Sequence, residues 1–199
     1  MKHIQTVGLM CLAVCALMAT GASGASASVF LAHPTGKVLI KALNNHIFTT
    51  GPEKQFVTIC TTVSVSEPPE SVVATLASLS LEIHTKYDNC TFNGVAATVT
   101  TARWFYSADN GLVRLLNIFT ITRSVGPCTI TIPSTSNQDL FTAKYLNVGR
   151  ELEIDHNIAN LSSEGVGAFC PYALENKGTY TGVTLVALEN GGLLRWDQL

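Results

Sequence analysis

From Leu79 to His84 apolar and polar residues alternate, with Leu79, Leu81 and Ile83 in one set and Ser80, Glu82 and His84 in the other. Side chains of a β-strand point in turn to opposite faces, so the stretch reads as a strand with one buried face. Lys86-Tyr-Asp-Asn interrupts the alternation, and Cys90 follows. Asn93-Gly94 is a turn pair, because both residues tolerate positive φ. Alternation resumes at Val95, which predicts two strands joined by a short cysteine-bearing connection.

The same pattern recurs along the chain. Val29 to Ala32, Val38 to Ala42, Ile47 to Thr50 and Phe56 to Val65 read as strands, with Gly51-Pro-Glu-Lys as a loop. Ser71 to Ala77 carries Val72, Val73 and Thr75 and leans towards strand despite a helix-opening Pro69-Glu70. Val95 to Tyr106 and Leu112 to Thr122 follow, separated by the Asp109-Asn-Gly111 turn signal. Gly126-Pro127 is a break. Cys128 to Pro133 then alternates strictly, with Ile130 and Ile132 on one face. Ser134 to Asp139 is polar and fits a single helical turn. Leu140 to Leu146, Glu151 to His156, Ile158 to Ser163, Thr179 to Leu188 and Leu193 to Trp196 complete the strands. About ten short strands at even spacing, with no long helical period, predict an all-β, antiparallel sandwich or barrel-like domain.

The first 27 residues stand apart. Lys2 and His3 precede an apolar run from Val7 to Met18, and small residues follow, with Ala25 and Ala27 placed for signal-peptidase cleavage before Ser28. The run is short for a membrane span. A lipoprotein signal with Cys15 as the lipid-bearing residue is the rival, but Val14 is bulky for that motif. The expected organisation is a signal peptide over 1–27 and one secreted β-domain over 28–199, with no integral membrane span in the mature chain. The formal net charge of −2 gives no electrostatic footprint for nucleic acid. Charged residues make up 13%, too few for a disordered chain.

Of the six cysteines, Cys11 and Cys15 leave with the signal. Cys60, Cys90, Cys128 and Cys170 remain, an even number that reads as two disulfides in any of three pairings. None sits in a CxxC, and no histidine lies at ligand spacing, which argues against zinc. No GxSxG, HExxH, P-loop or GxGxxG occurs. His33, His46, His84 and His156 are scattered, and His84 alternates with Ile83 as a solvent-face residue.

Three constellations carry candidate binding chemistry. Glu151, Glu153 and Asp155 share a strand face, a weak calcium candidate whose simpler reading is an edge or solvent face kept charged to prevent aggregation. Trp104 and Tyr106 share a face. Exposed, the pair would stack on a sugar ring; buried, it would fill the core. Trp196 is open to the same two readings. Thr98/Thr100, Thr120/Thr122 and Thr129/Thr131 repeat a spacing that suits solvated strand faces. Asn89-Cys-Thr and Asn160-Leu-Ser match the glycosylation sequon.

Tyr87-x-x-Cys90, Gly126-Pro-Cys-Thr-Ile-Thr-Ile-Pro133, Leu140-x-x-x-Tyr145-x-Asn147, Cys170 and Thr179-Tyr-Thr-Gly-Val-Thr184 occur together. The set resembles a group of small, uncharacterised, secreted bacterial proteins of actinobacterial type. The resemblance implies an exported β-rich domain with disulfides and transfers no catalytic residue. Such proteins commonly carry two more cysteines, near Trp104 and Leu116 here, and both are absent. Their loss together makes sense if they bond to each other, which leaves the other four to form two bridges. Because Cys60 and Cys90 flank neighbouring strands, the expected pairs are Cys60 with Cys90 and Cys128 with Cys170.

The expectation is a secreted or cell-surface, non-catalytic β-module without a cofactor, acting by binding or as a structural component. Polysaccharide or another cell-envelope component is its first candidate partner. The alternative is an extracellular hydrolase whose site does not show in sequence.

Overall fold

The computed structural model describes residues 28–66, 72–73, 77–134 and 141–198. The first half contributes β1 (Ser28–His33), β2 (Gly36–Ala42), β3 (His46–Thr50), β4 (Phe56–Val65), β5 (Val72–Val73), β6 (Ala77–Ser78), β7 (Ser80–Phe92) and β8 (Val95–Val99). The second half contributes β9 (Ala102–Ser107), β10 (Leu112–Leu115), β11 (Phe119–Arg123), β12 (Thr129–Ile132), β13 (Phe141–Val148), β14 (Glu151–Val166), β15 (Tyr172–Leu188) and β16 (Leu193–Gln198). A single 3-10 turn covers Pro52–Lys54, and no α-helix occurs among the described residues. The predicted signal segment, its cleavage site and the polar 135–140 stretch lie outside them.

Thirteen strands form one antiparallel sheet that closes on itself. Following hydrogen-bonded neighbours from β7 through β4, β3, β15, β14, β12, β11 and β8 returns to β7. A second circuit shares β7, β4, β3, β15 and β14, then returns through β13, β10 and β9. The long strands make this sharing possible. β14 pairs with β13 over Glu151–His156 and with β12 over its last residues, while β15 runs along its other edge. Closure satisfies backbone groups that an open sheet would leave unpaired at its edges. A small sheet of β16, β1 and β6 completes the architecture.

Strand β7 corrects the predicted break at Lys86–Asn89. It runs unbroken for 13 residues. Its inward set shifts phase instead: Leu81, Ile83, Thr85 and Tyr87 are buried, then Cys90 and Phe92. β4 shifts at the matching place, from Thr58 and Cys60 to Val63. Asn89 sits at the shift with φ 52°. The polar run that resembles a loop is therefore a local irregularity inside a strand. The Asn93-Gly94 turn forms as expected, joining Phe92 to Val95 with φ of 46° and 79°.

Two predicted strands are each divided. Val95–Tyr106 breaks at Thr100-Thr101, and Leu112–Thr122 breaks over residues 116–118. At both breaks the chain crosses from one circuit to the other. Asn117 fastens the two corners: its Oδ1 accepts from Arg103 N at 2.7 Å, and its Nδ2 donates to Thr101 O at 2.9 Å. Conversely, Glu151–His156 and Ile158–Ser163 are one 16-residue strand with a bulge at Asn160.

Candidate binding groove

The interior is filled by rings. Tyr180 lies between Phe48, stacked at 4.5 Å between centroids, and Trp104, stacked at 5.3 Å. Trp104 and Tyr106 are 0% and 2% exposed, so neither can offer a stacking platform to a sugar. Of the two readings of the pair, core packing holds and the sugar platform falls away. Both side chains lie on the inward parity of β9, where large apolar area is removed from water. Trp196 is half-buried, and its indole N–H donates to Ala108 O at 2.9 Å.

The four cysteines form Cys60–Cys90, between directly paired residues of β4 and β7, and Cys128–Cys170, which ties the start of β12 to the β14–β15 connection. Trp104 and Leu115 face each other across β9 and β10, both fully buried.

Glu151, Glu153 and Asp155 do share the outer face of β14. That strand is not an edge, since β13 and β15 flank it; the three carboxylates lie on a half-exposed outer face, the other form of the same reading. Their cross-strand partners on β13 are Val148, Leu146 and Lys144. Among the described residues no group of three His, Cys, Asp or Glu side chains converges on a point suited to a metal ion. In-line strand residues two apart are spaced by roughly 7 Å, too far for three to converge without a loop.

Sequence reasoning missed the pairing of His46 with His156. Their ring centroids are 5.8 Å apart inside the barrel, both side chains buried. A signal existed: His46 has the parity of Phe48, and His156 that of Ile154 and Ile158. Donor chemistry sets the direction of the hydrogen bonds around them. Trp104 Nε1 can only donate, and it does so to Tyr87 Oη at 2.9 Å. Tyr87 donates to Tyr180 Oη at 3.1 Å, which leaves the Tyr180 proton for His46 Nδ1 at 2.7 Å. His46 therefore carries its proton on Nε2, directed towards Thr184 Oγ1 at 3.5 Å. Thr184 donates to His156 Nε2 at 3.0 Å, so the His156 proton sits on Nδ1, which has no protein partner. Burial lowers His46 to about 4 against a raising hydrogen bond to the Val183 backbone, and burial with the neighbouring His46 lowers His156 to about 3. Both rings are neutral at pH 7. Among the described residues no carboxylate is hydrogen-bonded to either ring.

Gly182 makes this packing feasible. A Cβ there would lie 2.6 Å from His46 Nδ1. Directly outside, where β2 bends into β3, lies a groove of about 480 Å3 lined by Asn44, Asn45, Ile47, Asp155, Asn157, Thr181 and Val183, with His156 and Gly182 at its base. Asn44 is fixed, its Oδ1 accepting from Val183 N at 2.7 Å, and Leu43 N donates to Val183 O at 2.9 Å. Asn45, in the β2–β3 connection, is exposed; on the outward parity of their strands Asn157 is exposed and Asp155 and Thr181 are half-exposed. The groove thus offers amide, carboxylate and hydroxyl groups on a rigid sheet. Asp155, one of the three residues of the weak calcium candidate, is part of this polar wall.

No protein-family model, curated protein or solved structure matches the chain.

Proposed function

We propose that the chain is an exported, non-catalytic β-barrel module that binds a hydrophilic ligand, a polysaccharide first of all, in the Asn45–Asp155–Asn157–Thr181 groove. The observation that carries this reading is the contrast between inside and outside. The interior holds stacked rings around Tyr180 and leaves the ligand only the exterior. The groove outside presents amides, a carboxylate and a hydroxyl, groups that match the donors and acceptors of sugar hydroxyls. General acid–base catalysis needs a titratable group within reach of a substrate proton. His46 and His156 are buried, neutral and engaged with Tyr180 and Thr184.

Two disulfides fit an oxidising compartment, in line with export. Cleavage before Ser28 would place its new ammonium 2.7 Å from Asp109 Oδ1, where Ser28 N already donates.

Retention on insoluble cell-wall and plant polysaccharides tests the reading. The native protein is expected to be retained and an Asn157→Ala/Thr181→Ala variant to elute. Equal retention of both removes the groove. Turnover of a glycoside, ester or peptide that a single His156→Gln change abolishes replaces the binding module with an enzyme.

A further inference from the structure

The groove continues along the same outer face into a second recess of about 340 Å3, lined by Glu53, Lys54, Ala159, Asn160, Lys177 and Thr179. Register shows the continuity. Thr181 pairs with Asn157 on β14 and Ile47 on β3, and two residues along, Thr179 pairs with Ala159 and Thr49. That step is roughly 7 Å, so one extended ligand reaches both. Resting on the binding function proposed above, we infer that this recess is an anion subsite, which takes a carboxylate or sulfate carried by the polysaccharide seated in the groove.

Two independent features point there. The first is backbone conformation. Five described residues other than glycine have positive φ, and three of them line this recess: Glu53 at 56°, Lys54 at 58° and Asn160 at 59°. The left-handed region is uncommon for such residues, and outliers of this kind gather at ligand sites. Asn160 is also the bulged residue of β14, where the register slips between Ala159 and Leu161. Bulges re-aim side chains next to binding sites. The second feature is charge. Lys54 and Lys177 are both exposed, and among the described residues neither ammonium is ion-paired. Glu53 offsets one of them, so the recess keeps a net positive charge, whereas the far end of the groove holds the Asp155 carboxylate. The polarity along the face orients an acidic chain with its anion at the lysines. The Thr49 and Thr179 hydroxyls, hydrogen-bonded to each other, lie between the two ends.

The test compares polygalacturonate, dextran sulfate and neutral dextran in affinity electrophoresis at low and high salt. Native protein, Lys54→Ala/Lys177→Ala and Asn157→Ala/Thr181→Ala variants are run side by side. The native protein is expected to hold at least one charged polymer about tenfold more tightly than dextran, with the preference shrinking as salt rises. Which charged polymer is held identifies the acid. The lysine variant is expected to bind that polymer no better than dextran. A native protein without preference, or a lysine variant that keeps it, overturns the subsite. The groove variant reports separately: lysine-dependent preference that survives Asn157→Ala/Thr181→Ala removes the groove and leaves the anion subsite standing.

Discussion

Tyr180 Oη and His46 Nδ1 lie 2.7 Å apart in the centre of the barrel, and the hydroxyl donates to the ring. This bond links the Trp104–Tyr87 pair to the Thr184–His156 pair. A Tyr180→Phe change keeps the ring stacked between Phe48 and Trp104 but leaves Tyr87 without an acceptor and His46 without a donor. A loss of roughly 2–3 kcal/mol in urea unfolding is expected, because buried polar groups left unpaired pay their full desolvation. Combined with Tyr87→Phe, the loss should fall short of the sum of the single changes, since both remove the same chain of bonds. Strict additivity would show that the network is not coupled.

The buried histidines give stability a defined pH dependence. Their folded-state values, about 4 for His46 and about 3 for His156, lie below the unfolded value of 6.5. Below pH 6.5 the unfolded chain therefore binds protons that the folded chain refuses. Stability is full above that value, falls as pH drops, and levels off only below the folded values. Between pH 6 and 5, mostly above the carboxylate range, the slope should approach two protons, roughly 2–3 kcal/mol per pH unit. Denaturant unfolding at half-unit steps checks this. A His156→Gln variant should lose about half of the slope, whereas a flat native profile would place both rings in contact with water.

Each disulfide closes a substantial loop, with sequence separations of 30 for Cys60–Cys90 and 42 for Cys128–Cys170. Chain entropy assigns each about 4 kcal/mol. Peptide mapping without reductant should return these two pairs. A Cys128→Ser/Cys170→Ser variant should unfold at markedly lower denaturant. A Cys60–Cys128 peptide would contradict the architecture.

Much of the frame is legible in the chain because period-2 alternation reports burial directly. Leu81 and Ile83, Ile130 and Ile132, and Leu152 and Ile154 all fall inside as their parity requires. Asn93-Gly94 turns because its backbone demands it. Alternation fails where the phase itself changes. The polar residues at Asp88-Asn89 mimic a connection, although β4 shifts in step and the strand continues. The groove is less legible for a different reason. Asn45 lies in the β2–β3 connection, Asp155 on β14 and Thr181 on β15, and only tertiary pairing places β15 between β3 and β14. Trp104 and Tyr106 carried two readings because parity shows that a pair shares a face, but not which face the barrel encloses.

The binding groove is tested most directly by amide chemical-shift mapping. Uniformly 15N-labelled protein is titrated with an oligosaccharide cut from whichever polymer retains it. The account expects shifts concentrated at Asn45, Asp155, Asn157, Thr181 and Val183, with the buried Trp104 indole signal unmoved and the oligosaccharide intact at the end. Shifts centred on another face, or cleavage of the oligosaccharide during the titration, would contradict it.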